Sequence, residues 1–387
     1  MIVIDDKIKC SACGACQNIC PKKCINMILD EEGFMYPQVD ESQCIDCGLC
    51  NKVCPIENKF SRNEKYSCNY YAAYNKQKNV MLDSSSGGIF WLLAKKITNK
   101  NGVVYGVELQ SNFTVTHNRA ETLDECMKFR KSKYLQSSIG DSFRQAKIDL
   151  DNGREVLFTG TPCQIAGLYS YLQKEYDNLV TCEVVCHGVP SKIVFDKYIE
   201  ELNGKINDKA VSICWRDKRF GWSPNRVSIK FKSGEEFIST SRENPYQKGF
   251  LNNLYLRPIC YECPFAKLPR ISDISLADFW GYQGTLAKNN NNEGLSLVII
   301  SSDKGQKKFD ELKGCCEVEA VSEVYVKQKN RHAHKPPLYN ARRQKFFSDL
   351  EKHTFIDELS EKYIYPSLPE RIYKNLKRII KSAIMPK

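Results

Sequence analysis

The sequence predicts an α/β protein in which a mixed-sheet body follows a small α+β domain. After residue 68, apolar runs of strand length alternate with amphipathic runs of helix length. Nine of the 19 cysteines lie before residue 55, which sets this N-terminal segment apart from the rest. A chain of 387 residues is also long enough for two or three domains.

The body is predicted to alternate strands with helices on both sides of one mixed sheet. The predicted helices are "GGIFWLLAKKI", "SIGDSFRQAKIDLDNG", "CQIAGLYSYLQKEY" and "KIVFDKYIEEL". The predicted strands are "YYAAY", "GVVYGVEL", "FTVTHNRA", "REVLFTG", "LVTCEVVCHG", "AVSICWRD", "NRVSIKFKSG", "DISLADFWG" and "LSLVIISS". We expect domain boundaries that give segments 1–60, 68–150, 151–330 and 331–387.

The N-terminal segment repeats one cysteine motif, C-x2-C-x2-C-x3-C-P. Its two copies are Cys10, Cys13, Cys16 and Cys20 with Pro21, and Cys44, Cys47, Cys50 and Cys54 with Pro55. This spacing is typical of bacterial ferredoxins with two 4Fe-4S clusters, in which the fourth cysteine ligates the other cluster. Cluster one is therefore predicted on Cys10, Cys13, Cys16 and Cys54, and cluster two on Cys44, Cys47, Cys50 and Cys20.

The alternatives for these cysteines are a zinc site or a disulfide knot. Zinc sites usually use cysteine pairs with a longer spacer. Disulfides belong to oxidising compartments, and "MIVIDDKIKC" lacks the basic start of a secretory signal. The sequence therefore favours iron–sulfur clusters in a cytoplasmic protein. Cys24 has no place in the motif and is interpreted as a spare thiol.

The formal net charge of +11 is weak support for nucleic-acid binding. Each 4Fe-4S cluster with four thiolates carries a charge of about −2, which offsets part of the excess. Because no DNA- or RNA-binding module is recognisable either, we expect no nucleic-acid partner.

Two loops of the body suit a phosphate-bearing or flat ligand. "DSSSGGIF" places Ser85, Ser86, Gly87 and Gly88 before a predicted helix, where amides and hydroxyls could hold a phosphate. The alternative is a plain helix N-cap. In "LFTGTPCQIAGL", Gly160 and Thr161 follow a buried strand, and ligands of α/β folds bind at such strand ends.

Four more cysteines could meet at that edge of the sheet. Cys163 and Cys186 follow two predicted strands, and Cys260 and Cys263 form a C-x2-C pair in "RPICYECPFAK". If the last loop folds over the edge, the four thiols form a third iron–sulfur site or a zinc site. The alternative is that they are ordinary buried residues.

Basic residues interleaved with aromatic ones mark two further segments. "RKSKYLQSS" contains Lys133 and Tyr134, and "WRDKRFGW" contains Arg216 and Lys218. Such residues could hold a flavin pyrophosphate, an acidic substrate or RNA. The alternative is surface charge around strand ends.

The order of these motifs resembles the coenzyme F-420 hydrogenase/dehydrogenase β-subunit family. The matching stretches are "SSSGGIF", "KSKYLQS", "FTGTPCQIAGL", "CHGVPS", "WRDKRFGW", "CYECPFA" and "SDISLADFWG". The resemblance covers roughly residues 68–330, as an N-terminal-type region over 68–150 and a C-terminal-type region over 151–330. A ferredoxin-like domain in front also occurs in this family.

The resemblance implies a flavin-binding body that holds FAD, and a further 4Fe-4S cluster on Cys163, Cys186, Cys260 and Cys263. It also implies a redox partner such as ferredoxin or coenzyme F-420, and a small-molecule substrate. Some relatives reduce a chlorophyll intermediate, and bacterial members often accompany polysaccharide-synthesis genes. The substrate of this chain is not implied.

The segment 331–387 is basic, and its end, "SLPERIYKNLKRIIKSAIMPK", has an amphipathic helical pattern with lysine and arginine on one side. Such a helix could rest on the inner face of a membrane, dock on a partner or pack on its own protein. The sequence thus predicts a cytoplasmic iron–sulfur flavoprotein oxidoreductase. The alternative is an electron-transfer adaptor subunit that docks a separate catalytic partner.

Overall fold

The computed structural model describes residues 1–365, and its N-terminal domain is built from two similar halves. Each half contributes one short helix, α1 (Ala15–Ile19) and α2 (Leu49–Lys52). Between them, β1 (Ile25–Leu29) and β2 (Met35–Val39) pair antiparallel. The repeated cysteine motif therefore gives a repeated loop and helix, as its spacing suggests.

The body is organised around a mixed sheet that has eight strands within residues 1–365, in the order β13-β3-β12-β11-β7-β6-β4-β5. Strands β4, β6, β7 and β11 run parallel to one another, whereas the remaining neighbours are antiparallel. The strand bounds are β3 Asn69–Asn75, β4 Val103–Leu109, β5 Val115–Ala120, β6 Val156–Gly160, β7 Leu179–Val184, β11 Ile274–Asp278, β12 Ser296–Ile300 and β13 Cys316–Ala320.

Helices cover both faces of this sheet. The bounds of those in the body are α3 Lys78–Leu82, α4 Ile89–Thr98, α5 Ser142–Asp151, α6 Pro162–Leu172, α9 Thr285–Asn289, α10 Asp303–Asp310 and α11 Glu323–Lys329. Leu157 of β6 packs with helix α4 on one face, while its neighbour Phe158 packs with α5 and α6 on the other. Strands buried on both faces have few polar residues, which is why "REVLFTG" is readable as a buried strand.

A second, antiparallel sheet forms a lobe of its own. It is built from β8 (Ala210–Cys214), β9 (Arg226–Phe231) and β10 (Glu236–Thr240). Helices α7 (Lys192–Ile206) and α8 (Pro245–Leu251) share its apolar core.

Part of the basic C-terminal segment belongs to this same core. Helix α12 (Arg343–Leu350) and a π-helix (Phe355–Ile364) bury Phe346, Phe355 and Leu359 completely. Short 3-10 turns cover Lys7–Lys9, Glu125–Phe129, Pro258–Glu262 and Arg331–Ala333. The amphipathic pattern predicted from residue 367 onward lies outside the described residues.

The α/β prediction with a large mixed sheet is confirmed, and each predicted strand and helix of the body is present. The hairpin suggested by "AVSICWRD" and "NRVSIKFKSG" is the antiparallel pair β8–β9. Strands β10 and β13 were not predicted. In the part of the chain that the structure describes, no helix is long and apolar enough to cross a membrane.

Candidate iron–sulfur and ligand sites

The N-terminal domain contains two cavities that are each lined by four motif cysteines. Cavity one is lined by Cys10, Cys13, Cys16 and Cys54. Cavity two is lined by Cys20, Cys44, Cys47 and Cys50. Their empty volumes are about 340 and 350 Å³, including space open to solvent. Each cavity therefore takes three cysteines from one copy of the motif and the fourth from the other.

Local backbone geometry explains why the fourth cysteine turns away. Helix α1 starts at Gly14, whose φ of 83° is left-handed, and α2 starts at Gly48 with a φ of 71°. Such angles favour glycine and let the third cysteine of each motif enter the helix. The fourth, Cys20 or Cys54, follows the end of the helix and so faces the opposite cavity.

The four cysteines of each set line their cavity together with apolar neighbours, such as Ile4 and Met27 at cavity one. Among residues 1–365, no group of three or more histidine, cysteine, aspartate or glutamate side chains converges on a point that could hold one metal ion. A single zinc ion needs its sulfurs about 2.3 Å from one centre. Four thiols, three from one motif and one from the other, match the ligand set of a 4Fe-4S cluster.

The two cavities differ in exposure. Cys10, Cys13 and Cys16 around cavity one are buried, each 8% exposed. At cavity two, Cys47 is exposed and Cys44 is half-buried. The most exposed cysteine of the two sets therefore belongs to cavity two, whereas cavity one is lined by residues of the N-terminal domain.

Four further cysteines come together at the edge of the main sheet. Cys163 lies in the first turn of α6, directly after β6, and Cys186 follows β7. Beyond Cys186 the chain pairs with the segment before Cys260: the amide of Arg257 donates to the Val189 carbonyl at 2.8 Å. The Val189 amide in turn lies 3.4 Å from the Cys260 sulfur.

Electrostatic interactions join these four thiols into one set. Burial raises the pKa of Cys186, and the charges of Cys260, Cys163 and Cys263 raise it further. Burial raises the pKa of Cys260 to about 12 and that of Cys263 to about 11, with Cys163 acting on both. Without a bound cation these thiols are protonated, so a metal centre would displace their protons.

This sheet-edge set adjoins cavity one. Gly167 of α6 packs on Cys13 so closely that a β-carbon at residue 167 would lie 2.9 Å from the Cys13 β-carbon. Cys163 is one helical turn earlier on the same face of α6. The Cys163 and Cys16 charges both raise the pKa of Cys13, after its burial. The two sets of thiols are thus neighbours across the domain boundary.

Arg257 lies between them and is not exposed to solvent. Its Nε donates to the Cys10 carbonyl at 2.7 Å, and its guanidinium stacks 4.2 Å from the centre of the Tyr36 ring. Burial raises the pKa of the Cys10 and Cys163 thiols, and the Arg257 charge opposes that rise at both. Sequence reasoning missed this residue because a single arginine carries no signal of burial.

The serine–glycine loop forms a second polar site on the same sheet edge. The Ser85 hydroxyl accepts hydrogen bonds from the amide and the hydroxyl of Ser132, at 2.8 and 3.0 Å. Arg216 donates to the Ser85 carbonyl at 3.1 Å and Lys218 to the Ser86 carbonyl at 2.8 Å. The two basic segments singled out in the sequence therefore both adjoin this loop.

Two lysines beside the loop have displaced pKa values. Burial lowers the pKa of Lys133 to about 7, and its ammonium donates to the carbonyls of Arg130 and Lys128. Burial likewise lowers the pKa of Lys218 to about 7. Neither forms an ion pair with a carboxylate within the described part of the chain, although Glu108 acts on Lys133 and Asp278 on Lys218 from a distance.

The other predicted ligand residues have different surroundings. The Gly87 amide already donates to the Ser296 hydroxyl at 2.9 Å, and Gly88 starts α4. Tyr134 packs its ring edge-on against Trp215. Gly160 and Thr161 lie beside Cys163, where Thr161 caps α6 and its hydroxyl lies 3.2 Å from the Cys163 sulfur.

The order of the strands gives the distance along this sheet edge between the serine–glycine loop and the sheet-edge cysteines. Strands β3 and β7 are separated by β12 and β11, and neighbouring strands lie about 4.8 Å apart, so the spacing is roughly 14 Å. The serine–glycine loop follows β3 and Cys186 follows β7. The structure thus brings Ser85, Ser86 and Lys133 into one neighbourhood and places Gly160 and Thr161 with the sheet-edge thiols.

Comparison with known proteins identifies the class of the chain. The model of the 4Fe-4S dicluster domain matches residues 9–58. The chain is therefore an iron–sulfur electron-transfer protein. The model of the C terminus of the coenzyme F420 hydrogenase/dehydrogenase beta subunit matches residues 153–324. The resemblance given by the sequence motifs is thereby confirmed, while the assignment of residues 68–150 stays a prediction.

Among solved structures, the chain is similar to a chain of the F420-reducing NiFe hydrogenase complex from Methanosarcina barkeri, studied as a xenon derivative. The two are 15% identical, the alignment covers 69% of this chain and 89% of the other, and the TM-score is 0.47. A search of curated proteins found no match.

Proposed function

We propose that this chain is an iron–sulfur flavoprotein oxidoreductase that moves electrons between a redox partner and a ligand held on the main sheet. The observation that carries the proposal is the continuous series of thiol sets. It runs from cavity two, where Cys47 is exposed, through cavity one, to the sheet-edge cysteines on the helix of Gly167 and beside it. Such a series would give electrons a route from the surface into the body.

In this proposal, Cys10, Cys13, Cys16 and Cys54 hold the first 4Fe-4S cluster. Cys20, Cys44, Cys47 and Cys50 hold the second. The exposed Cys47 supports an exchange of electrons with the partner at cavity two. That partner would be a ferredoxin, coenzyme F-420 or a similar carrier.

Cys163, Cys186, Cys260 and Cys263 are proposed to hold a third 4Fe-4S cluster. Two features support this assignment: their mutual electrostatic interactions and the buried Arg257 charge beside them. A buried cation next to four thiols fits a centre of net negative charge, and a 4Fe-4S cluster with four thiolates carries about −2.

The serine–glycine loop with Lys133 and Lys218 is proposed to hold FAD through its pyrophosphate. Lys218 donates to the Ser86 carbonyl of this loop, and Lys133 follows Ser132, which donates to the Ser85 hydroxyl, so a bound anion could draw both ammonium groups toward it. When bound, a flavin exchanges either one or two electrons, so it would couple one-electron clusters to a two-electron substrate. The chain's own residues bind the pyrophosphate and keep water from it: Lys133 and Lys218 supply charge, and Ser85 and Ser86 order the loop.

Gly160 and Thr161 are proposed to position Cys163 in the set of four cysteines at the sheet edge. The Thr161 hydroxyl, 3.2 Å from the Cys163 sulfur, can donate a hydrogen bond to a thiolate there. The substrate, the polysaccharide-assembly context, the cytoplasmic location and membrane contact through the C-terminal residues stay predictions.

The test is anaerobic purification followed by measurement of flavin and of electron flow. We expect one FAD per chain, released on denaturation, and bleaching of its absorbance when ferredoxin, NAD(P)H or reduced F-420 supplies electrons. Lys218→Met should lower flavin content while leaving iron unchanged. A chain saturated with iron but free of flavin, which co-purifies with a stoichiometric catalytic partner, would contradict the proposal and favour the adaptor subunit.

A further inference from the structure

The side chain of Arg257 lacks the partner that other buried arginines of this protein have. Arg216 is paired with Asp278, Arg270 with Glu183, and Arg343 with Glu32. Arg257 forms no ion pair with any carboxylate in residues 1–365, although it is 0% exposed. A buried charge without a counter-ion is strongly unfavourable.

The hydrogen bonds of Arg257 do not supply that counter-ion. Its Nε donates to the Cys10 carbonyl, and one terminal nitrogen lies 3.4 Å from the Gln136 side-chain oxygen. The other terminal nitrogen, which is buried, has no hydrogen-bond partner. The remaining neighbours are the rings of Tyr36 and Phe34. All of these groups are formally neutral.

The negative charge that Arg257 lacks would come from thiolates on two sides. Its Nε donates to the carbonyl of Cys10 in cavity one, and its own carbonyl accepts a hydrogen bond from the amide of Cys260 at the sheet edge, at 2.9 Å. Arg257 is fixed between the two sets because residues 256 and 257 pair with residues 189 and 190.

We propose that Arg257 is the shared counter-ion of two clusters, one in cavity one and one at the sheet edge, and that its charge raises both reduction potentials. The inference rests on the clusters proposed above. A cluster becomes more negative by one charge when it accepts an electron, so a fixed cation nearby favours the reduced state. Acting on both clusters, Arg257 makes the buried part of the route easier to reduce than it would otherwise be.

The experiment is an anaerobic redox titration of the full, reconstituted chain, with each cluster followed by electron paramagnetic resonance. Arg257→Gln removes the charge, while Arg257→Lys keeps it and loses the planar fork. We expect Arg257→Gln to change the ratio of reduced to oxidised cluster at least tenfold at both sites, a fall of about 59 mV for a one-electron couple. Arg257→Lys should keep most of the wild-type potentials.

Two controls test whether the change in reduction potential is specific to Arg257 and to the clusters beside it. The cluster of cavity two should keep its potential, since no contact with Arg257 is found for its four cysteines within the described residues. Arg154→Gln removes an arginine that precedes β6, at the opposite edge of the main sheet, and that pairs with Glu121. Its cluster potentials should match those of the wild type.

Unchanged potentials in an Arg257→Gln protein with full iron content would overturn the inference, as would equal shifts in the lysine and glutamine variants. If the Arg257→Gln protein fails to hold iron, the Arg257→Lys protein tests the inference. Iron with near wild-type potentials in the lysine variant supports a charge role, and loss of iron in both variants overturns it. Wild-type iron near eight per chain would contradict the third cluster instead, and the inference would then be judged on cavity one.

Discussion

Gly167 of helix α6 lies directly against Cys13 of the N-terminal domain. A β-carbon at residue 167 would come within 3.0 Å of the Cys13 sulfur and 3.1 Å of its carbonyl oxygen. Only a residue without a side chain allows this approach. The contact brings the wall of cavity one to the helix that carries Cys163.

Gly167→Ala is therefore expected to force the two domains apart locally. Overpacking of this kind typically costs about 1–3 kcal/mol, and here the displaced atoms belong to a predicted cluster ligand. We expect a lower midpoint of unfolding and less iron per chain. The matched control is Gly204→Ala in helix α7, where no atom lies within 4 Å of the added carbon. That variant should be as stable as the wild type or slightly more stable, because alanine favours helix. Equal iron content and stability in the Gly167→Ala protein would contradict the contact.

Replacing the fourth cysteine of one motif at a time should affect the two N-terminal clusters one at a time. Cys54→Ser is expected to remove the paramagnetic signal of the cluster in cavity one. Cys20→Ser is expected to be milder for cavity two, since the Cys24 sulfur lies 3.4 Å from that of Cys20 and also lines the cavity. The hydrogen bond that the Cys24 thiol donates to the Cys20 sulfur raises the pKa of Cys24 to about 11, but a cluster iron could displace its proton.

The double variant Cys20→Ser/Cys24→Ser should then lose the cavity-two signal completely. Cys315→Ser is the control, because Cys315 is exposed and outside all three cysteine sets. If Cys54→Ser removed the cavity-two signal instead, the crossed arrangement would be wrong.

Flavin binding should weaken as the pH rises above neutrality. The pKa of Lys133 and of Lys218 is lowered by burial to about 7, so above that pH the free protein must take up protons to bind a phosphate. We expect the dissociation constant of FAD to rise by up to about tenfold per pH unit for each lysine, which calorimetry in buffers of different ionisation enthalpy can measure.

The stability of the flavin-free protein should change in the opposite sense. Between pH 7 and the ordinary lysine value of 10.5, the unfolded chain binds more protons than the folded one. The free energy of unfolding therefore rises with pH in that window. Lys218→Met should flatten both profiles, and an unchanged pH dependence in that variant would show that Lys218 is not responsible.

The ion pair between Arg343 and Glu32 joins the C-terminal segment to the N-terminal domain. Their side chains are 7% and 18% exposed, so Arg343→Ala leaves a largely buried carboxylate and should cost about 3–5 kcal/mol of unfolding free energy. Lys205→Ala is the control, because Lys205 and Asp357 form a pair that is 45% and 62% exposed. That change should cost less than about 1 kcal/mol in denaturant unfolding. Equal costs for both variants would mean that the Arg343 pair contributes little.

The sequence predicts much of the fold because local signals and tertiary packing agree. Strands such as β6 and β12 are mostly apolar because both of their faces are covered. Strand β13, "CEVEA", alternates charged residues on an exposed sheet margin and so lacks that signal. The packing of residues 343–364 was hidden for a different reason, since their apolar residues are dispersed among charged ones.

The candidate sites also include one part that local sequence predicts and another part that depends on tertiary contacts. The N-terminal cysteine sets follow from spacing, because three cysteines of each set lie within one short repeat and the fourth has a fixed place in the other repeat. The position of Cys163 beside Cys13 and that of Arg257 between the thiol sets depend on contacts between residues about 100 or more positions apart. No local pattern encodes such contacts, so only the folded structure brings them into view.

The most direct measurement of the central claim is anomalous diffraction from crystals grown and frozen without oxygen. At the iron edge, we predict three compact peaks: within cavity one, within cavity two, and among Cys163, Cys186, Cys260 and Cys263. The peak between the last four cysteines should lie nearest to that of cavity one. Anomalous signal at the zinc edge in these positions, with none at the iron edge, would contradict the proposed route for electrons.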